Sequence, residues 1–165
     1  MHQEISWPTE KCALYELLAS QAKALSDGCP PISALSNVAA LLWEALPDIN
    51  WAGFYLLKSD TLYLGPFQGK TACVMIPVGR GVCGTAAATC QLQLVPDVEQ
   101  FPGHIACDSA SRSEIVIPLL RNGKLLGVMD IDAPIPARFD ESDAQGLTAV
   151  AATLTTIVDW SSGLL

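Results

Sequence analysis

Apolar residues at helical spacing predict two helices near the start of the chain and one near its end. Thr9 is a candidate cap for the first helix, which runs to about Ser26. The second fits the segment ISALSNVAALLWEAL and ends at Pro47. The last helix starts at Asp140, with Asp143 at its third helical position and an apolar face behind it.

Segments rich in β-branched and aromatic residues predict six strands between these helices. In chain order they are INWAGFYLL, TLYLGPF, ACVMIPV, QLQLV, SEIVIPLL and KLLGVMDID. Hairpin turns are expected at Ser59-Asp60 and at Asn122-Gly123. A short Ala-rich helix, VCGTAAATC, follows the third strand, and a polar loop from Pro96 to Ser113 precedes the fifth.

The order of these elements predicts an α+β fold with a central antiparallel sheet of about six strands, rather than a series of βαβ units. We expect a single domain over residues 1–165. Its N-terminal helices occupy 9–46, its sheet and loops 50–132, and its C-terminal helix 140–160. Helices packed mainly on one face of the sheet would leave the other face for a covered ligand pocket.

The amino-acid composition limits the cellular compartments and the classes of partner that suit this chain. Half of the residues are apolar, yet no stretch is long enough without polar breaks to span a bilayer. The polar start, MHQEISWPTEK, lacks the order of a secretory signal, so we expect a cytoplasmic protein with reduced thiols. The net charge is −8 and the basic residues are scattered, which argues against nucleic acid and membrane surfaces as partners. A small ligand with an ammonium group suits this charge better.

Cysteine is the first candidate for chemistry, with six residues in the chain. Three are interpreted as small apolar fillers of the core: Cys12, Cys29 and Cys90. Cys83 lies in GRGVCGT at the start of the short helix, where backbone N–H groups, the helix dipole and Arg80 favour a thiolate. Cys107 follows His104 in the polar loop GHIACDSASRSE, and Cys73 has neighbours that also set it apart from the fillers. The alternative that all six thiols are inert stays open.

No metal site is predicted from these residues. Three cysteines and a histidine could in principle hold zinc. The chain has no C-x2-C or C-x4-C pair, and the candidates are spread over separate elements. We therefore expect thiol chemistry without a metal.

Two acids, Asp130 and Asp132, close the last strand in GVMDIDAP. Residues two apart on a strand point to the same face, so these carboxyl groups are neighbours. Two like charges held together raise the pKa of one group, which can then carry a proton at neutral pH. The pair can act as an acid or bind a cation, or it can be two solvated acids at a strand end.

The position of Glu114 depends on the hairpin loop at Asn122-Gly123. A two-residue loop would place Glu114 opposite Ile131, facing away from both aspartates. A three-residue loop, 121–123, would place it opposite Asp130, and Asn-Gly suits either loop. We favour the three-residue loop because it brings three carboxyl groups to one face.

Aromatic residues alternate with glycine in NWAGFY. Trp51, Gly53 and Tyr55 share one face of the predicted strand. Two rings that flank a glycine would leave a slot for a thin apolar chain, and sulfur packs well against rings. Ordinary core packing is the alternative for such a strand taken alone.

Together these residues carry a family resemblance. The element order resembles a GAF domain. The motifs GKTACVMIPVGRGVCGTA, GHIACDSASRSEIVIPL and GVMDIDAP resemble those of the free methionine-(R)-sulfoxide reductases, which are GAF-fold enzymes. The likeness runs from about Trp51 to the final helix and is specific, because a general GAF sensor lacks these cysteines with these flanks.

The resemblance implies a role for each motif residue. Cys107 matches the cysteine that attacks the sulfoxide, and Cys73 and Cys83 match its partner cysteines. The resemblance leaves open which of these two partners forms the disulfide. The aromatic pocket for the substrate methyl group is matched by Trp51 and Tyr55. The acids that hold the substrate and assist proton transfer are matched by Glu114, Asp130 and Asp132.

The resemblance also implies an activity and partners. Its members reduce the R epimer of free methionine sulfoxide, are generally cytosolic and often dimeric, and hold no bound cofactor. They are recycled by thioredoxin, itself reduced at the expense of NADPH. We therefore expect thioredoxin as a partner, and the resemblance allows the chain to form a homodimer. Two alternatives stay open, a non-catalytic GAF sensor of a small ligand and a thiol redox sensor.

Overall fold

Six strands form one sheet in the order β3-β2-β1-β6-β5-β4, and every neighbouring pair is antiparallel. The computed structural model describes residues 5–105 and 107–162. The helices are α1 (Lys11–Ser26), α2 (Pro31–Ala45), α3 (Gly81–Thr89) and α4 (Glu141–Ile157). The strands are β1 (Trp51–Lys58), β2 (Thr61–Gly69), β3 (Met75–Pro77), β4 (Gln93–Val95), β5 (Ser113–Arg121) and β6 (Lys124–Ala133). Short 3₁₀ turns lie at Val98–Gln100 and Trp160–Ser162. The α+β prediction is confirmed.

Side-chain caps fix where the outer helices begin. The Glu10 carboxylate accepts hydrogen bonds from the N–H groups of Cys12 and Ala13 at 2.8 Å, so Glu10 caps α1 and the predicted Thr9 cap is wrong. Glu10 reaches two free N–H groups at once, which a threonine hydroxyl one residue earlier does not. The predicted start of the last helix is confirmed, since Asp140 caps α4 in a capping box with Asp143.

Three helices, α1, α2 and α4, cover one face of the sheet. This larger core includes Phe54 of β1, Ile115 of β5 and Met129 of β6. The helices approach closely at Gly146, where any Cβ would overlap the Tyr15 side chain of α1. The opposite face carries α3 and a smaller core that contains Tyr55. Strand residues in this smaller core alternate along the chain with those that face the larger core.

The hairpin between β5 and β6 has a two-residue loop. Arg121 pairs with Lys124, and both loop residues, Asn122 and Gly123, have positive φ, as a type I′ turn requires. The three-residue loop that we favoured from the sequence is therefore wrong.

A β-bulge corrects the register further along the same hairpin. Leu120 pairs with Leu125 but Leu119 pairs with Gly127, so β6 contains one extra residue. This residue shifts the remaining pairs by one and places Glu114 opposite Asp132. Neither loop length considered from the sequence anticipated this pairing, although Glu114 does share a face with the aspartates.

No helix within residues 5–105 and 107–162 combines the length and the apolar character that crossing a membrane requires.

Candidate active site

One pocket gathers the side chains that the sequence marked as candidates. It lies on the α3 side of the sheet and contains about 500 Å³ of empty space, which includes open solvent at its mouth. Strand residues in its lining are Trp51, Tyr55, Glu114, Asp130 and Asp132. Loops and α3 add Cys83, His104, Cys107, Asp108 and Ser111.

Aromatic rings form one wall of the pocket. The Trp51 ring stacks between Tyr55, at a centroid distance of 5.9 Å, and Phe67 of β2, at 5.3 Å. Trp51 Nε1 donates to the carbonyl oxygen of Lys70 at 3.1 Å, which fixes the ring plane. The slot expected at Gly53 is not present, because the Trp51 ring itself lies over that glycine and a Cβ there would overlap it. Gly53 thus allows the Trp51 ring to lie flat against the sheet.

Three carboxyl groups line the floor of the pocket. Asp130 and Asp132 project from β6, and Glu114 from β5. Glu114 and Asp130 are each 6% exposed, so both are taken out of water almost completely. The Oδ1 atom of Asp130 is buried and has no hydrogen-bond partner among residues 5–105 and 107–162. A buried acceptor of this kind needs a donor, which a ligand ammonium group or a proton on the carboxyl supplies.

Burial and mutual repulsion raise the pKa of every acid in this group. Burial is the main cause for Asp130, and the charge of Glu114 adds to it. For Glu114, burial comes first and the charge of Asp132 second. For Asp132, burial again comes first, followed by the charge of Asp130. The cluster therefore holds its protons to higher pH than isolated carboxyl groups do, which suits an acid that protonates a bound ligand.

Cys83 lies in the first turn of α3 and faces these acids. Its Sγ and one carboxylate oxygen each from Glu114 and Asp130 lie within 4.8 Å of one another, a spacing that could also admit a metal ion. Burial raises the pKa of the Cys83 thiol well above its usual range, and the charge of Asp130 raises it further. The expectation of a Cys83 thiolate is therefore wrong, because loss of solvation and nearby acids outweigh the helix terminus, and Arg80 is exposed.

Cys73 and Cys107 form a disulfide beside the pocket, with their Cα atoms 5.6 Å apart. The remaining cysteines are free thiols: Cys12, Cys29, Cys83 and Cys90. Cys29 is partly buried against the larger core, as expected of a filler, but Cys12 and Cys90 are exposed and that interpretation is wrong for them. The partner of Cys107, left open between Cys73 and Cys83, is thus Cys73 in this structure.

His104 contacts the acid cluster. Its Nε2 atom lies 3.6 Å from Oε2 of Glu114. Burial lowers the pKa of this imidazole, so the neutral ring is favoured. The sequence marked His104 only as a neighbour of Cys107, and its contact with Glu114 could not be anticipated.

Asn50 was missed in the sequence altogether. Its Nδ2 donates to Oδ2 of Asp108 at 3.0 Å and to Oγ of Ser111 at 3.1 Å. Both acceptors line the pocket and belong to the loop that carries Cys107. The only signal available was a polar residue directly before an aromatic strand, which is too common to be informative.

Comparison with known proteins agrees with this geometry. A GAF domain model matches residues 8–158. The chain is 58% identical over 127 residues to "Free methionine-R-sulfoxide reductase" of Escherichia coli, covering 77% of each chain. It is 48% identical over 159 residues to the protein of the same name from Saccharomyces cerevisiae, covering 91% of this chain and 88% of that one.

A solved structure is similar over nearly the whole fold. It is the X-ray structure of free methionine-R-sulfoxide reductase from Neisseria meningitidis in complex with its substrate, with a TM-score of 0.89 and 45% identity. The alignment covers 94% of each chain. The fold, the pocket and these relatives agree, and the chain belongs to the free methionine-R-sulfoxide reductase family of GAF-domain proteins.

Proposed function

We propose that this protein reduces free L-methionine (R)-sulfoxide to methionine. The observation that carries the proposal is the meeting, in one pocket, of an aromatic wall, three carboxyl groups of which Glu114 and Asp130 are buried, and Cys107 of the disulfide. Each part suits one end of this substrate or one step of its reduction. The relatives named for this activity support the same conclusion.

The substrate binds with its ammonium group toward the acids and its sulfur end toward the aromatic wall. Ionised members of the cluster Glu114, Asp130 and Asp132 offset the positive charge, and the orphaned Oδ1 of Asp130 gains a donor. Trp51 and Tyr55 pack against the methyl group and the sulfur of the sulfoxide. A flanking peptide would collide with the pocket floor, so methionine sulfoxide within a polypeptide is excluded.

Cys107 is the nucleophile in the reduced enzyme. Its thiolate attacks the sulfoxide sulfur while a protonated carboxyl of the cluster gives its proton to the sulfoxide oxygen. The oxygen passes from the substrate sulfur to Sγ of Cys107 as the sulfur–oxygen bond of the substrate breaks. The transient bond between the two sulfur atoms also breaks, so methionine leaves and Cys107 is left as a sulfenic acid. Two electrons pass from the cysteine sulfur to the substrate sulfur. A raised pKa in the acid cluster is what makes a proton available at neutral pH.

Cys73 resolves the sulfenic acid. Its thiol attacks Sγ of Cys107, water leaves, and the disulfide forms. Cys83 instead contributes to the pocket wall, since its buried and protonated thiol is a poor nucleophile.

An external dithiol then restores the two thiols, and we propose thioredoxin for this step, with NADPH as the ultimate electron source. Electrons pass only through cysteine sulfur in this scheme, so the protein itself needs no bound cofactor. A thioredoxin-type reductant also places the enzyme in the reducing cytoplasm. Assembly as a homodimer is compatible with the scheme, because the proposed groups all come from one chain.

A coupled assay tests the proposal. Purified protein, thioredoxin, thioredoxin reductase and NADPH are mixed with free R or free S methionine sulfoxide, and NADPH oxidation is followed. We expect turnover with the R epimer alone and none with Cys107→Ser, whereas Cys12→Ser serves as the matched control and keeps activity. Loss of two thiols per methionine formed should accompany the first turnover. Absence of turnover and of thiol loss with both epimers would refute the enzyme and favour a sensor.

A further inference from the structure

We propose that Asn50 and Asp108 form a clasp that positions Cys107 against the aromatic wall, which makes both of them positioning residues for the reduction. The inference rests on the proposed function, because it assigns Cys107 the role of nucleophile. We call the two side chains and the hydrogen bond between them the Asn50–Asp108 clasp. Neither residue is proposed to touch the reacting atoms.

The loop that carries Cys107 has little regular structure to hold it. Between the 3₁₀ turn at Val98–Gln100 and the start of β5 at Ser113, the described residues 101–105 and 107–112 form no helix or strand. Once the disulfide to Cys73 is reduced, the direction of the Cys107 side chain therefore depends on individual hydrogen bonds and not on a sheet or helix. Asp108 follows Cys107 directly and makes several of these bonds.

Asp108 connects three parts of the chain. Its Oδ1 accepts the N–H of Ala110 at 2.9 Å, which folds the loop back on itself. Its Oδ2 accepts Nδ2 of Asn50 at 3.0 Å. Lys70, on the segment that leads to Cys73, places Nζ 3.7 Å from Oδ1. The Lys70 side chain is 73% exposed, so water screens this ion pair and it contributes little to holding the loop.

Asn50 anchors the clasp to the rigid sheet. Both hydrogens of its amide nitrogen are used by the loop, one by Asp108 and one by Oγ of Ser111 at 3.1 Å. Its backbone N–H donates to the carbonyl oxygen of Asp132 at 2.9 Å. Asn50 immediately precedes Trp51, so the anchor is adjacent in sequence to the aromatic wall. Likewise, Cys107 directly precedes Asp108, the other member of the Asn50–Asp108 clasp.

The clasp also links the loop to the acids electrostatically. Hydrogen bonds from Ala110 and Asn50, together with Lys70, hold the pKa of Asp108 below its usual range, so this carboxylate is ionised. The charge of Asp108 in turn contributes to the raised pKa of Asp132. Correct seating of the loop and retention of a proton in the acid cluster are therefore favoured by the same contact.

A reciprocal exchange of the two side chains tests the clasp. Asn50→Asp alone sets two carboxylates face to face, and we expect kcat to fall by about 10- to 100-fold while KM changes by less than about 3-fold. Asp108→Asn alone removes the ionised acceptor and should lower kcat in the same way. In the double variant Asn50→Asp/Asp108→Asn, the new amide at 108 donates to the new carboxylate at 50. It should therefore recover kcat to within about 5-fold of the unaltered enzyme.

Asn37→Asp is the matched control, since it makes the same charge change at an exposed position of α2. We expect it to leave kcat unchanged. A purely structural role for Asn50 would lower the melting temperature without recovery of kcat in the double variant, and this result would overturn the clasp. So would a kcat for Asn50→Asp equal to that of Asn37→Asp.

Two further outcomes keep the clasp and the proposed function distinguishable. If Asn50→Asp does not fold, the neutral Asn50→Ser replaces it, and a kcat equal to that of the unaltered enzyme would again overturn the clasp. No sulfoxide reduction by the unaltered enzyme would refute the proposed function itself. An active unaltered enzyme with a fully active Asn50→Ser would refute only the clasp.

Discussion

The Tyr55 hydroxyl donates a hydrogen bond to the backbone carbonyl oxygen of Cys73 at 3.0 Å. Tyr55 belongs to the aromatic wall of the pocket and Cys73 to the disulfide, so this bond joins the wall to one cysteine of the disulfide. Burial, with the charge of Asp130 second, raises the pKa of the phenol, which therefore stays protonated and able to donate throughout the working pH range. The position of Cys73 thus depends on an aromatic residue that also lines the pocket.

Tyr55→Phe should slow disulfide formation more than methionine release. The variant keeps the ring in the pocket wall but loses a hydrogen bond of about 1 kcal/mol, which amounts to about 3- to 10-fold in rate. In a single turnover, methionine is quantified by chromatography and thiol loss by titration. Tyr63→Phe on β2 is the control and should change neither rate. Equal slowing of both steps would contradict the link to Cys73.

Asp130→Asn should lower turnover far more than stability. The change keeps the shape of a buried side chain but removes its acidic proton, and general acid catalysis contributes about 10²- to 10⁴-fold. Glu114→Gln should behave similarly, whereas Asp60→Asn, in the exposed β1–β2 turn, should be silent. Values of kcat and melting temperatures are compared under reducing conditions. A fall in melting temperature that accounts for the lost activity would instead make Asp130 a structural residue.

Stability should decline as pH rises, and Asp130 should account for part of that slope. Its pKa is raised well above 3.8 in the folded protein, so above about pH 4 the folded state binds more protons than the unfolded chain. The unfolding free energy then falls with rising pH, by up to about 1.4 kcal/mol per pH unit for one proton, until the raised pKa is passed. Urea unfolding of the reduced protein between pH 5 and 8 measures this. Asp130→Asn should have the shallower slope, and parallel slopes would contradict the assignment.

Local rules account for the part of the site that was predicted from the sequence. Asp130 and Asp132 were placed together because residues two apart on a strand always share a face. The start of α4 was found because Asp140, with Asp143 three residues later, has the spacing of a helix start. Both features are determined within a few residues, so no knowledge of the rest of the fold was needed.

Features that depend on distant parts of the chain were not predicted. Cys73 meets Cys107 across 34 residues, and only the folded positions of two loops select it over Cys83. The bulge between β5 and β6 leaves no local signature, because Asn-Gly turns suit several registers. The pKa of Cys83 was judged from the helix end, a local effect, whereas burial beside Asp130 decides it.

Asp143→Asn should destabilise the fold without affecting catalysis. Asp143 is 1% exposed and accepts hydrogen bonds from Tyr15 Oη and Lys11 Nζ, both at 2.7 Å. Lys11 keeps its ion pair with Asp140, but the nearly buried Arg138 guanidinium, 3.5 Å from Asp143, loses its carboxylate. This loss should cost about 3 kcal/mol of unfolding free energy. Denaturant unfolding checks this, with Glu141→Gln, exposed in the same turn, as the control. An altered KM with unchanged stability would contradict a structural role, since these groups lie in the helical layer.

Cys73→Ser and Cys83→Ser should separate the two partner cysteines. Without Cys73, the sulfenic acid on Cys107 has no resolving thiol, so the enzyme should release one methionine and stop with thioredoxin as sole reductant. Without Cys83, the disulfide of the structure still forms, and multiple turnovers should continue at a rate within about 10-fold of the unaltered enzyme, because a buried protonated thiol contributes packing but no electrons. A sulfenic acid probe followed by mass spectrometry should label Cys107 in the Cys73 variant alone. If Cys83→Ser were the variant that stopped after one turnover, Cys83 would be the resolving cysteine and the Cys73–Cys107 disulfide would lie off the catalytic cycle.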